Sequence, residues 1–97
     1  MKVYLILLLF GEVGGTWGPI PNDMNWCVNH AAEFVDITND NYGAGLEPMR
    51  YDGRDVPIDQ FTMGCVELND SERPELGSTF DVTRLTQPST AFGKTPS

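Results

Sequence analysis

The sequence predicts a small α+β domain, an antiparallel sheet with one helix packed on it, and three observations carry that prediction. Val3 to Phe10 is an unbroken apolar run that ends in a glycine-rich turn. Met24, Cys27, Val28, Ala31 and Phe34 or Val35 recur at spacings of three and four, which is one apolar helical face. Phe61 to Leu68 alternates, with Phe61, Met63 and Cys65 on one side of a strand and Val66 and Leu68 on the other.

Each element has a local reason. Val3–Phe10 is apolar at every position, as expected of a strand buried on both faces. The run also has the outline of a secretory signal, with Lys2 ahead of it and small residues after it, but it is too short to span a bilayer, which needs about 20 apolar residues. Glu12 near the cleavage position and the lack of an Ala-x-Ala site favour the strand. Gly11, Gly14 and Gly15 place a turn at residues 11–15, and Thr16–Ile20 returns as a short second strand that Pro19 confines to an edge. Asn22 or Asp23 serves as the N-cap of a helix spanning about residues 23–36, and the turn-forming residues of 39–43 end it.

Residues 39–60, punctuated by Gly43, Gly45, Pro48, Gly53 and Pro57, read as a long irregular loop. Beyond the polar turn at 69–74, residues 75–97 are rich in Ser, Thr, Pro and Gly and carry scattered apolar anchors, among them Leu85. They read as an extended or flexible C-terminal arm on a domain formed by residues 1–74.

Length and composition fit this reading. A chain of 97 residues makes one domain, and its 40% apolar content supports a modest core that a cross-link would help. A net charge of −8, from 14 Asp and Glu against 6 Lys and Arg, repels phosphate backbones and anionic membranes, so direct nucleic-acid binding is not expected, and with so short an apolar run neither is a membrane span. A basic protein surface or a cation suits such a chain better.

Cys27 on the helix and Cys65 on the strand are the only thiols, and a disulfide across the core is their leading reading. Two other readings stand beside it: buried free thiols, and a nucleophilic Cys27 activated by His30 three residues on. Two thiols and one histidine do not make a zinc set. Asp36, Thr38, Asp40, Tyr42 and Glu47 fall at EF-hand ligand spacings, but Asn41 replaces the turn glycine and Pro48 blocks an exiting helix. An Asx-rich helix cap explains the run as well. The carboxylate pairs Asp52 with Asp55 and Glu72 with Glu75 read as solvated loop charges. No nucleophile, base and stabiliser come together, so an enzyme is not expected, and neither is a cofactor. Aromatic residues on loops and turns are the better functional candidates: Trp17, Trp26, Tyr42 and Tyr51, with Phe80 and Phe92 on the arm.

The strand Val3–Phe10, the helix segment Cys27-Val-Asn-His-Ala-Ala32 and the strand end Cys65-Val66 together resemble small proteins encoded by bacteriophages, prophages and their hosts. That resemblance covers about the first two thirds of the chain outside residues 39–60. It implies an α+β fold and carries no agreed activity. The expected function is therefore protein–protein binding or assembly, as a minor virion component. An acidic inhibitor of a host nucleic-acid-binding protein is one alternative. A secreted or periplasmic disulfide domain with a loop calcium site, if residues 1–15 act as a signal, is another.

Overall fold

A computed structural model describes residues 1–21, 23–45 and 48–93. It is an α+β fold in which strand β1 (Lys2–Leu9) lies at the centre of a three-stranded antiparallel sheet. Strand β2 (Glu12–Ile20) pairs on one side of β1, and the last strand, Phe61–Leu68, pairs on the other. Helix α1 (Met24–Gly43) crosses one face of the sheet. Between helix and last strand, β3 (Arg50–Tyr51) and β4 (Arg54–Asp55) form a small separate hairpin, so the last strand is β5. Among the described residues no helix is long and apolar enough to cross a membrane.

The apolar run of β1 is explained by its position. Leu5, Leu7 and Leu9 face the helix and pack with Ala31, Met63 and Phe61, while Tyr4, Ile6 and Leu8 form a second cluster with Val13, Val66 and Leu68 on the opposite face. Alternation along β5 follows the sequence expectation, with Phe61, Met63 and Cys65 toward the helix and Val66 and Leu68 away from it.

The first turn is tighter than residues 11–15. Only Phe10 and Gly11 lie between the strands, both with positive φ (55° and 80°), as a two-residue type I′ hairpin requires. Asp52 and Gly53 repeat this geometry between β3 and β4. The two turns meet, because the Arg54 guanidinium lies 4.4 Å from the centroid of the Phe10 ring. Strand β2 therefore begins at Glu12, well before the expected Thr16, and its register against β1 shifts twice.

The helix also exceeds its expected length, reaching Gly43 where residues 39–43 were expected to break it. Distant contacts outweigh the turn preference of those residues. Thr38 is buried, and Tyr42 donates its hydroxyl hydrogen to the Val56 carbonyl at 2.9 Å. Asn39 donates to the Ala91 carbonyl at 3.1 Å and accepts from the Gly93 amide at 2.8 Å. At the other end Asp23 is the N-cap, accepting from the Trp26 amide at 2.9 Å, and Asn22 lies outside the described residues. Replacing this cap, Asp23→Ala, is expected to cost about 1 kcal/mol. Chemical denaturation checks it, and an unchanged midpoint would show that packing alone holds the first turn.

Residues 75–93 run across the domain and dock on it at several points. The amides of Val13 and Gly77 bond the carbonyls of Ser78 and Val13, both at 2.8 Å, along the outer edge of β2. Phe80 and Leu85 then cross the second face of the sheet. Thr86 and Cys65 exchange two backbone hydrogen bonds (2.8 and 2.9 Å) on the outer edge of β5. Finally Phe92 stacks on Phe61, with centroids 5.1 Å apart, on the helix side. The segment is a strap that passes both sheet edges and one face, and it protects edges that would otherwise template aggregation.

Candidate functional site

An exposed apolar groove lies between α1 and the edge strand β2. Leu5, Trp17, Ile20, Trp26, His30 and Phe34 line it, and its volume is about 440 Å³. Each element contributes for a local reason. Trp17 opposes Leu5 in the β1–β2 register, so it rises on the helix face of the sheet. Being on the edge strand, it lacks a further neighbour and stays 47% exposed. Trp26, His30, Phe34 and Ile37 follow at spacings of four, four and three along α1, a stripe offset from the core stripe Cys27, Ala31, Val35 and Thr38. Trp26 stacks on His30, with ring centroids 3.8 Å apart, and Trp17 tilts against Phe34 at 6.3 Å.

Phe34 also borders a second depression of about 430 Å³, together with Ile37, Tyr42 and Met49. Four large apolar residues that remain exposed, Trp17, Trp26, Ile37 and Met49, thus gather along one side of the helix. Isolated exposed apolar residues are ordinary, whereas exposed apolar residues gathered on one side of an element are less so.

The electrostatics reinforce this. Between Val3 and Met49 the chain carries no Lys or Arg, against Glu12, Asp23, Glu33, Asp36, Asp40 and Glu47. Glu33, Asp36 and Asp40 form an exposed row at spacings of three and four directly beside the aromatic stripe. Like charges so placed repel. The ion pairs among the described residues, Arg50–Asp55 and Arg84–Glu72, lie elsewhere.

The other candidates have structural placements. Cys27 and Cys65 are joined in a disulfide with Cα atoms 6.2 Å apart, and both are fully buried, so no thiol is present for His30 to activate. Asp36, Thr38, Asp40 and Tyr42 are all helical, and Glu47 lies outside the described residues. In a helix Asp36 and Thr38 point roughly 160° apart, so the four do not converge as an EF-hand loop would bring them. Among the described residues no group of three or more His, Cys, Asp or Glu side chains is gathered. Tyr42 bridges the helix end to the following loop, accepting from the Met49 amide at 3.0 Å and meeting Phe61 edge-on. Half-buried Tyr51 has its phenol pushed up from the usual range, first by desolvation and then by the charges of Glu12 and Asp52. Phe80 and Phe92 pack the strap to the sheet.

Sequence reasoning thus named Trp17 and Trp26 but missed His30, Phe34, Ile37 and Met49 as their companions. The signal was present as the stripe of spacings from Trp26 to Ile37, legible only once the helix is carried past residue 36. No family model matches the chain, and neither a curated protein nor a solved structure is significantly similar to it. Fold and site therefore define a class, a disulfide-stapled α+β domain with an exposed aromatic groove.

Proposed function

We propose that this chain is a non-enzymatic binding protein of the phage or prophage type that engages a protein partner through the groove beside α1. The observation that carries the proposal is the clustering of Trp17, Trp26, Ile37 and Met49 as exposed apolar residues along one side of a helix whose adjacent side is stapled to the core. Tryptophan is the residue type most enriched at binding hot spots. The groove lining has one ionisable side chain, His30, which suits recognition better than acid–base chemistry. A minor virion component fits this reading, since assembly proteins act through such surfaces.

The test places a photo-reactive phenylalanine analogue at Ile37 and, separately, at exposed Val82 in the strap. Co-expression with the encoding phage or prophage should give one cross-linked polypeptide from position 37, absent from position 82 and lost with Trp17→Ala. Equal cross-linking from both positions, or none from either, overturns the proposal. A second reading, an acidic inhibitor of a host nucleic-acid-binding protein, is favoured by the cation-free stretch from Val3 to Met49. Competition between this chain and DNA for the cross-linked partner, relieved by salt, would select it.

A further inference from the structure

From the shape and charge of the groove we infer that its occupant is a basic amphipathic helix of the partner protein, lying alongside α1. This inference rests on the binding function proposed above and specifies what is bound. The floor of the groove is apolar and aromatic, so the inserted side of the occupant is apolar. The acidic row Glu33, Asp36 and Asp40 flanks the stripe at helical spacing and calls for Lys or Arg on the occupant's outer side.

The geometry selects a helix over a strand. From Trp26 to Ile37 the stripe is about 17 Å long, the length of three helical turns. An added strand would need the outer edge of β2, and that edge is a poor template. The strap already occupies it at Glu12 and Val13, two register shifts distort the strand, and Pro19 supplies no donor. A second copy of this chain is disfavoured as occupant because its own helix would bring the same acidic row against this one.

The defined probe is a synthetic peptide of about fourteen Leu and Lys residues with Leu at i, i+3, i+4 and i+7. Its controls are the same composition in scrambled order and the Leu/Glu analogue. Titration followed by tryptophan fluorescence should show saturable one-to-one binding of the Leu/Lys helix, at least about tenfold tighter than either control. Trp26→Ala should weaken binding about tenfold, as truncation of an anchoring aromatic does. The combined change Glu33→Gln, Asp36→Asn and Asp40→Asn should weaken it by a similar factor and flatten its salt dependence. All four positions are exposed, and circular dichroism checks that the variants remain folded.

Equal binding of the scrambled peptide overturns the helical occupant, and equal binding of the Leu/Glu peptide overturns its basic character. Self-association of the chain that is abolished by Trp26→Ala replaces the partner helix with a second copy. If the Leu/Lys helix fails while the cross-link at position 37 persists, this inference falls and the binding function stands. If both fail, both fall.

Discussion

Replacing both cysteines, Cys27→Ala with Cys65→Ala, is expected to destabilise the domain by about 4 kcal/mol. The two residues are 38 positions apart, so their bond removes loop-closure freedom from the unfolded chain over much of its length. The result matters against a net stability of about 5 to 15 kcal/mol for a domain of this size. The expected fall in Tm is roughly 15–30 °C. The denaturant m-value should rise, because the uncross-linked unfolded chain exposes more surface.

Both sulfurs are fully buried between Leu5, Ala31 and Met63, so a thiol reductant reaches them only when the domain opens. Reduction under native conditions should therefore be slowed by the small fraction of time the domain is open, and should scale with reductant concentration as long as reclosing outpaces thiol exchange. The groove depends on the same bond. Cys27 holds α1 to β5 one residue away from Trp26, so the double variant should lose groove binding at temperatures where the wild type retains it. A double variant with an unchanged Tm would show that packing of Ala31 and Val35 alone seats the helix.

The core was legible in the sequence because its signals are local. An apolar run, a stripe with helical spacing and an alternating strand each state which side is buried, and β1, α1 and β5 follow them. What was not legible depends on partners far along the chain. Residues 39–43 have the composition of a helix stop, yet Asn39 is bonded to Ala91 and Gly93, and Thr38 and Tyr42 are packed beneath the loop and β5. No reading of neighbours within a turn can detect bonds across more than fifty residues. The groove was half legible for the same reason, since its stripe needs the longer helix. How the strap docks was not legible in composition: few apolar residues signal little core of its own, and Phe80, Leu85 and Phe92 each land on a sheet that other segments build.

That dependence makes the strap the site of the second large effect. Ending the chain after Leu76 is expected to abolish cooperative unfolding and to leave a species that binds hydrophobic dyes and aggregates. Tyr4, Ile6, Leu8, Val66 and Leu68 would lose their cover, and the edges of β2 and β5 would open. Within the intact chain, Leu85→Ala should cost about 2 to 3 kcal/mol, the lower part of the range for a buried leucine because its site borders solvent.

A third variant separates docking of the strap from its composition. A Cβ on Gly64 would lie 2.8 Å from the Thr86 carbonyl oxygen and 2.9 Å from the Leu85 Cβ, so the strap can approach β5 only over a glycine. Gly64→Val leaves every strap residue in place and pushes the strap off, at a cost of about 1 to 3 kcal/mol for overpacking. Hydrogen exchange reads the outcome residue by residue. The Thr86 and Cys65 amides, which bond each other's carbonyls, should lose protection while the β1 amides keep theirs. If Thr86 stays protected in Gly64→Val, β5 has yielded instead of the strap, and the strap belongs to the cooperative core. If β1 loses protection along with Thr86, sheet and strap fold as one unit.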